Sequence, residues 1–472
     1  MKNNNEVRVR FAASPHRGIC LGDVRGALIN YLVALFNRGK YILRIEDVVV
    51  TRASEDAYAQ TVSDLAWLGI TYHEGPMLQS ERTAIYEEQL QELIRSQRAY
   101  RCFCTPDMLE ENHRKQLGYG QPPRYDRTCL KLSDDKIKAK IAAGLPFIWR
   151  FKLNEFQLFE FDDLAKGPIT FEMKHYSDFA LTKSGGSFTP LFASFVDDWQ
   201  MGITHIIRGE DQLSKTAQQA TLYDAFAVQL PRFWHLPQIS DTQGHPLIHD
   251  DPGFMVQELR DAGFLPQALC NYVAMLCYSF EPEIQSLQEL AGALEKTHIH
   301  ATSSVKFDRD KLTWINHKWI QRLTPEELAP HLTPFIHKQY PESTSLGAPK
   351  IIELIRLIQP ELRTFEDVKQ LLTFYFADPA TSRITFNGIF GYEKAQRAAA
   401  IVEKHKDVVG QSERFLTEIK TDAEAQGLDS DDMFSALRYL MTGMPQGIAV
   451  HDLCDVLEQE KMHRRIERGL AQ

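Results

Sequence analysis

The stretch Glu6–Asp47, which reads EVRVRFAASPHRGICLGDVRGALINYLVALFNRGKYILRIED, decides the fold of the first part of the chain. Residues Glu6–Ala12 alternate as in a short strand, and Ser14–Gly18 is a turn signal. Apolar side chains then recur at helical spacing, and Gly39 stands where a helix would end. The sequence therefore predicts a strand, a turn and a helix.

A second buried strand is predicted at Tyr41–Ile45. A strand, a helix and a strand in this order form a βαβ unit, and such units bind ligands at the carboxyl ends of their strands. We therefore expect the segment Pro15–Asp23 and the pair Glu46–Asp47 to flank one crevice.

The chain has 472 residues, of which 43% are apolar and 25% are charged. At roughly 150 residues per domain, this length predicts about three domains with cores of their own. The composition excludes a disordered chain and a disulfide scaffold. Because the net charge is −10, a bound polyanion would need a local basic patch.

Three features predict a cytoplasmic protein without a membrane partner. The densest apolar run, Leu265–Phe280, is interrupted by polar residues and is too short to span a membrane. The first residues are polar and lack the apolar stretch of a signal peptide. Seven cysteines, a small and odd number, fit a reducing compartment.

Later segments differ in character. The stretch Tyr100–Leu130, which contains Cys, Tyr and Pro, breaks the α/β rhythm and predicts an inserted module. Ile203–Arg208 predicts a further strand, followed by the acidic pair Glu210–Asp211 and a helix. Helical periodicity dominates from about Asp310, so the last third is predicted to be all-helical.

Short motifs follow one another in a fixed order along the chain. They are Arg10–Pro15, Leu43–Asp47, Trp67–Ile70, Glu74–Pro76, Gln79–Arg82, Tyr100–Cys104, Pro123–Asp126, Val196–Asp198, Ile207–Asp211, Gly263–Leu269, Thr442–Gly443 and Arg464–Ile466. In order and spacing they resemble the motifs of bacterial glutamyl-tRNA synthetases, and the resemblance spans nearly the whole chain.

The resemblance implies an α/β class I synthetase nucleotide-binding (Rossmann-like) domain with an inserted acceptor-stem domain, followed by an all-α anticodon-binding domain. The implied boundaries are 1–86 and 189–244 for the catalytic domain, 87–188 for the insertion with a zinc module at 102–129, 245–325 for a stem-contact region and 326–472 for the anticodon-binding domain. The implied reaction uses ATP with Mg²⁺ to convert glutamate to glutamyl-adenylate and then transfers the glutamyl group to the 3′ end of tRNA(Glu). Glutamate and tRNA are the implied partners, and we expect a monomer.

By similarity, four residues form the amino-acid pocket: Arg10, Ser14, Glu46 and Arg208. The two arginines would bind the carboxylates of glutamate, because the planar guanidinium suits a bidentate carboxylate. The serine would donate a hydrogen bond, and the glutamate side chain would receive the substrate ammonium. The family's tyrosine on the strand before the paired aspartates is replaced by Pro190, which alters the wall. The alternative is that both arginines are ordinary ion-paired residues.

The family's first ATP-binding motif, an H-I-G-H-type element, lies at Cys20–Asp23. Cys20 stands where the family has histidine and Asp23 where it has glycine, so a donor is lost and a negative charge is gained. Gly22 and Arg25 remain as expected ATP-binding residues. The alternatives are that Asp23 is a helix N-cap and that Cys20 is a small buried side chain.

The second motif, a K-M-S-K-S-type loop, lies at His245–Asp251, where Pro246 and His249 replace both lysines. Such lysines stabilise the charge that develops as pyrophosphate leaves. Each lost 1.36 kcal/mol of this stabilisation costs about tenfold in rate, so the changes predict weak ATP chemistry. Cys20 and His249 are thus the catalytic positions with altered residue types, and His16 is a hypothetical substitute donor.

A metal site is predicted in the inserted module. Cys102 and Cys104 are close enough to share one ion, and Tyr125 and Cys129 follow. Thiolates favour zinc, and a structural zinc site closes with four ligands. The wider family includes members with Cys-x-Cys followed by Tyr-x-x-x-Cys, and this resemblance implies Zn²⁺ on the same four residues. The alternative is a reduced module with free cysteines.

Candidate tRNA contacts are Lys306, Arg309 and Lys311, which lie together in the stem-contact region. Four further cations near the end of the chain share one helical face by their spacing: Lys461, Arg464, Arg465 and Arg468. The alternative for such a cluster is a solvated helix face. The retained helical last third is the stronger indication of a tRNA partner.

The sequence leaves three functions open. The first is the family reaction, the ligation of glutamate to tRNA. The second is a non-catalytic tRNA-binding or regulatory paralogue, which predicts tRNA affinity without ATP binding. The third is an enzyme that uses the amino-acid pocket with another acyl acceptor or another activated donor.

Overall fold

The computed structural model describes residues 6–15, 18–48, 55–241, 243–247, 253–281, 283–296 and 304–471. The chain forms two compact units: Met1–Asp261 with Pro266–Leu312, and Ala262–Leu265 with Thr313–Gln472. The first unit mixes strands and helices, whereas all regular elements in the described part of the second are helices. The predicted α/β region and all-helical last third are confirmed.

Eleven strands are described. They are β1 (Arg8–Ala13), β2 (Lys40–Ile45), β3 (Glu74–Leu78), β4 (Ala99–Cys102), β5 (Ile148–Phe151), β6 (Leu158–Asp163), β7 (Gly167–Glu172), β8 (His205–Gly209), β9 (Arg232–Leu236), β10 (Gln238–Ser240) and β11 (Ser304–Lys306).

The first unit also contains ten α-helices among the described residues. They are α1 (Leu21–Phe36), α2 (Glu55–Trp67), α3 (Thr83–Arg95), α4 (Pro106–Gly118), α5 (Asp134–Ala142), α6 (Pro190–Gln200), α7 (Leu213–Ala225), α8 (Val256–Asp261), α9 (Pro266–Met275) and α10 (Leu287–Ala293).

The remaining helices follow in chain order. They are α11 (Arg309–Arg322), α12 (Pro325–Gln339), α13 (Ala348–Ile358), α14 (Val368–Leu371), α15 (Thr373–Phe376), α16 (Arg383–Phe390), α17 (Tyr392–His405), α18 (Ser412–Ala425), α19 (Ser430–Thr442), α20 (Val450–Val456) and α21 (Gln459–Leu470). No described helix has the length and apolarity needed to cross a membrane.

The parallel strands meet at a point where the strand order reverses. Strands β1, β2 and β3 form a parallel sheet, and β8 pairs in parallel with β9. The start of β8 lies beside β1, because the Thr204 amide donates to the Arg8 carbonyl at 2.9 Å. Helix α1 connects β1 to β2, and α7 connects β8 to β9. A crevice between β1 and β8 is therefore the expected ligand site of this fold.

The predicted βαβ unit is confirmed, with β1 and β2 in register from Arg8 opposite Lys40 to Ala13 opposite Ile45. The predicted strand Ile203–Arg208 is observed at His205–Gly209, so it begins two residues later and ends one residue later than predicted. One sequence interpretation is wrong: the segment before the paired aspartates is helix α6, not a strand. Its physical reason is local, since Thr189 occupies the N-cap and Pro190 the first helical position, where proline is favoured.

Candidate active site

A cavity of about 950 Å³ opens at the carboxyl ends of β1 and β8. Seven predicted site residues line it together: Arg10, Ser14, Cys20, Gly22, Arg25, Glu46 and Arg208. The expected crevice is therefore present, although Asp47 contributes nothing to its wall. The Asp47 carboxylate is buried and accepts from the Ser80 amide and hydroxyl at 2.8 and 2.5 Å.

Arg10 enters the cavity from β1 with a buried ion pair behind it. Its Nε donates to Asp198 Oδ1 at 2.8 Å, and the same oxygen accepts from Arg44 at 2.6 Å. Burial by itself would raise the pKa of Asp198, but the two guanidinium groups hold it below its usual value. Asp198 therefore stays ionised and fixes Arg10 in one orientation.

Arg208 lies on β8 and lines the same cavity. Unlike Arg10, it is held by a neutral acceptor. Its Nη2 donates to the Thr216 hydroxyl at 2.6 Å, its Nε is buried without a partner, and no described carboxylate forms an ion pair with it. Burial, with Arg10 nearby, lowers the pKa of Arg208 from 12.5 to about 10. The group remains a cation at neutral pH, and an anionic ligand would relieve its unfavourable environment.

Glu46 supplies negative charge to the same cavity. Glu46 accepts from Arg44 at 3.1 Å and from the Ser194 hydroxyl at 2.6 Å. Ser194, on α6, also lines the cavity, as does Pro190 one turn earlier. Ser14 is exposed at the mouth and free to donate a hydrogen bond to a ligand. Two cations and a carboxylate in one cavity are complementary to an amino acid with an acidic side chain.

The N-terminus of α1 forms the other end of the cavity. Cys20 is the N-cap residue, and the Asp23 carboxylate accepts from the Cys20 amide at 2.9 Å. The expectation that Asp23 is the N-cap is therefore wrong, because the helix begins earlier and Asp23 is its third residue. Cys20 is half-buried on the cavity wall, and burial together with Asp23 raises the pKa of its thiol to about 12.

The segment around Phe254 holds this end in place. The Leu21 amide donates to the Phe254 carbonyl at 2.9 Å, and the Val256 amide donates to Ile19 at 3.0 Å. Arg25 is buried, donates to the Pro237 carbonyl, and has its pKa lowered by burial. Two predicted residues, His16 and His249, lie outside the described residues.

The charges of the lining residues balance. The cations are Arg10, Arg25, Arg208 and Lys215, and the carboxylates are Asp23, Glu46, Glu210 and Asp211. Lys215, on α7, was missed by sequence reasoning, as were Ser194 and the role of Asp198. The motif Val196–Asp198 was the available signal for Asp198, but nothing local in the sequence connected it to Arg10.

The cysteine cluster lies in the inserted segment. The thiol sulphurs of Cys102, Cys104 and Cys129 all lie within 4.8 Å of one another. The Tyr125 hydroxyl lies 3.3 Å from Cys102 Sγ and 3.8 Å from Cys104 Sγ, and Cys104 Sγ lies 3.5 Å from Cys129 Sγ. Since Zn–S bonds of about 2.3 Å place tetrahedral ligands about 3.8 Å apart, the four donors fit one zinc ion.

None of the candidate tRNA contacts is among the residues that line the cavity. Lys306 ends β11, and Arg309 and Lys311 begin α11, with all three side chains exposed. Lys311 Nζ lies 3.7 Å from Glu283.

Two of the four cations on the predicted basic face of α21, Lys461 and Arg465, pack within the second unit, whereas Arg464 and Arg468 are exposed. Arg465 is 1% exposed, pairs with Asp378 at 3.1 Å and donates to the carbonyls of Met441 at 2.8 Å and Ala377 at 2.7 Å. Lys461 donates to the Tyr375 carbonyl. These cations hold α21 in the second unit.

The comparisons with known proteins agree along the whole chain. Residues 6–314 match the family described as tRNA synthetases class I (E and Q), catalytic domain, and residues 327–470 match an anticodon binding domain. Similar proteins include the glutamate–tRNA ligase of Finegoldia magna, 33% identical over 99% of each chain, and that of Geotalea uraniireducens, 32% identical over 99% of this chain and 98% of the other. The crystal structure of a glutamate tRNA ligase from Elizabethkingia meningosepticum in complex with its amino acid has a TM-score of 0.88 at 26% identity, with 99% of each chain covered. The chain therefore belongs to the glutamyl-tRNA synthetase family of class I aminoacyl-tRNA synthetases.

Proposed function

We propose that this chain binds glutamate in the cavity and that its reaction is the ATP-dependent ligation of glutamate to tRNA(Glu). The observation that carries the proposal is Arg208, a partly buried cation with a fully buried Nε, which forms no ion pair with a described carboxylate. Arg10 lies in the same cavity, and Glu46 supplies negative charge. A ligand with two carboxylates and one ammonium group matches this distribution of charge.

In this reaction a carboxylate oxygen of glutamate attacks the α-phosphorus of ATP, and pyrophosphate leaves. A hydroxyl at the tRNA 3′ end then attacks the acyl carbon, and AMP leaves. Arg10 and Arg208 hold the amino acid by its carboxylates, and Glu46 holds its ammonium group. Ser14 donates a hydrogen bond at the mouth of the pocket.

The first of these steps is slow in this chain. Class I synthetases use ATP with Mg²⁺, and the cavity has room for ATP beside glutamate. However, Asp23 places a carboxylate at the helix N-terminus that otherwise favours phosphate. A like charge about 4 Å away costs on the order of 4 kcal/mol at an effective dielectric of 20, and each 1.36 kcal/mol is about tenfold in rate.

The same carboxylate favours a second candidate function, a tRNA-binding protein that no longer forms the adenylate. Asp23 satisfies the Cys20 amide within the chain, so this helix end is stable without a bound phosphate. The anticodon-binding domain implies a tRNA partner in both candidates.

Glutamate-dependent exchange of pyrophosphate into ATP, with and without total tRNA, separates the two candidates. Exchange that exceeds a no-enzyme blank and disappears in Arg208→Met supports the ligase. Absent exchange, together with tRNA binding and glutamate-dependent thermal stabilisation, supports the second candidate. A wild-type protein that glutamate does not stabilise refutes the amino-acid pocket itself.

We also propose that Cys102, Cys104, Tyr125 and Cys129 hold a structural Zn²⁺ ion. The distances between the donor atoms support this proposal. The four residues also form a small apolar cluster, in which Cys104 is partly buried against the other three and Phe103. The ion would cross-link strand β4 to the turn that precedes α5, and it would take no part in the chemistry of the cavity. Metal analysis of the purified protein should find about one equivalent of zinc.

We propose the finer organisation inferred from the sequence as well: a catalytic part at 1–86 and 189–244, an acceptor-stem insertion at 87–188, a stem-contact region at 245–325 and an anticodon-binding part at 326–472. The protein would act as a cytoplasmic monomer, with Lys306, Arg309 and Lys311 on the phosphates of the tRNA. Light scattering of the purified protein and footprinting of bound tRNA test these assignments.

A further inference from the structure

A buried chain of hydrogen bonds leads away from the cavity behind Arg208. Arg208 Nη2 donates to Thr216 Oγ1 at 2.6 Å, Thr216 Oγ1 lies 2.8 Å from His235 Nε2, and His235 Nδ1 lies 2.7 Å from Asp163 Oδ2. Thr216 and His235 are completely buried, and Asp163 is 3% exposed. None of these three side chains lines the cavity.

The directions of these hydrogen bonds follow from the two ends of the chain of groups. Burial lowers the pKa of His235, so the imidazole is neutral, and the Asp163 carboxylate can only accept, which places the imidazole proton on Nδ1 and leaves Nε2 as an acceptor. At the other end a guanidinium can only donate, so Thr216 Oγ1 accepts from Arg208. The Thr216 hydroxyl then donates to His235 Nε2 at 2.8 Å, with the Gln212 carbonyl as a more distant acceptor at 3.4 Å.

The sheet and the turn after β6 hold this chain of groups rigid. Arg208 and His235 are register partners on the parallel strands β8 and β9. Asp163, at the end of β6, also accepts from the amides of Ala165, Lys166 and His235, each at 3.0 Å. The carboxylate therefore has little freedom to move.

We propose that Thr216, His235 and Asp163 are positioning residues that fix Arg208 for the substrate carboxylate. This inference rests on the proposed amino-acid pocket. The triad-like arrangement is not nucleophilic, because the Thr216 hydroxyl is buried and already accepts from the guanidinium. Arg10 is fixed by a carboxylate, that of Asp198. Arg208 is fixed instead by a neutral acceptor, the Thr216 hydroxyl.

The test compares Thr216→Val, which keeps the shape of the side chain but removes its hydroxyl, with Thr216→Ser, which keeps the hydroxyl. Glutamate affinity is measured by calorimetry on the full chain, and tRNA affinity serves as the measure of folding. Thr216→Val should weaken glutamate binding about tenfold, since the lost bond involves a charged donor. Thr216→Ser should bind within about twofold of the wild type.

Thr221→Val is the matched control. Thr221 is completely buried on the same helix, but its hydroxyl donates only to the Gln218 carbonyl, at 2.7 Å. It should bind glutamate as the wild type does. Thr216→Ala replaces Thr216→Val if the latter does not fold. If the variant without a hydroxyl binds glutamate normally, the positioning inference is overturned and the proposed pocket stands. If the wild type binds no glutamate, both the proposed pocket and the inference are overturned.

Discussion

Replacing each of the two cavity arginines by methionine should change the stability of the ligand-free protein in opposite directions. Burial lowers the pKa of Arg208 from 12.5 to about 10, which corresponds to about 3 kcal/mol against its charged form at neutral pH. Arg208→Met removes that cost and loses about 1.5 kcal/mol for the hydrogen bond from the charged guanidinium to Thr216. The free energy of unfolding should therefore rise by about 1–2 kcal/mol.

Arg10→Met should have the reverse effect. Asp198 is fully buried and would keep only Arg44 as a close partner. Breaking a buried ion pair from one side typically costs about 3–5 kcal/mol, and the remaining pair reduces this cost to about 2–3 kcal/mol. The two variants have the same change in charge and side-chain type, so each is the control for the other.

Thermal unfolding with and without saturating glutamate is the assay. At about 2–4 °C per kcal/mol, Arg208→Met should melt a few degrees above the wild type without ligand, and Arg10→Met several degrees below it. A ligand at 100 times its Kd adds about 2.7 kcal/mol of stability, and both variants should lose that gain. The reasoning is refuted if Arg208→Met melts below the wild type without glutamate, or if glutamate still stabilises it.

Three further changes test other parts of the molecule. Asp23→Gly should raise the rate of pyrophosphate exchange at least tenfold, because it removes a carboxylate from the N-terminus of α1, and the lost capping interaction should lower the free energy of unfolding by about 1 kcal/mol. An unchanged exchange rate contradicts the electrostatic argument. Cys129→Ser should reduce bound zinc from about one equivalent to under about a tenth, whereas Cys454→Ser, at a buried thiol of the second unit, should retain it; equal zinc contents in the two variants count against the site. A double Lys306→Glu, Lys311→Glu variant should bind tRNA about tenfold more weakly, with a salt-dependence slope reduced by about 2; an unchanged slope places both lysines off the phosphates.

The sequence predicted the elements whose signal is local. The βαβ unit was predictable because periodic apolar residues, a turn and a terminal glycine all lie within one stretch, Glu6–Asp47. The position of Asp23 in α1 was not predictable, because the identity of the N-cap residue depends on where the helix begins, and Cys20 is a weak capping residue. The helix at Pro190 did have a local signal, Thr followed by Pro, which the resemblance to a family strand obscured.

The residues that support the pocket could not be found from the sequence. Thr216, His235 and Asp163 lie 8, 19 and 72 residues from their partners in the chain of hydrogen bonds, and only the register of β8 and β9 and the end of β6 bring them together. The basic face of α21 shows the same limit. Its spacing was visible in the sequence, but burial of Arg465 depends on which face packs inward.

The two ends of the cavity differ in a way that bears on function. At the helix end, Asp23 satisfies a backbone donor from within the chain, so that end is stable without a ligand. At the sheet end, Arg208 is a partly buried cation that forms no ion pair with a described carboxylate, and a buried chain of three side chains holds it in place. A protein without a carboxylate ligand would gain stability by replacing that arginine with an apolar side chain. The sheet end therefore has the costly, preorganised character of a binding site, and under the proposed function the rate of ligation is determined at the helix end.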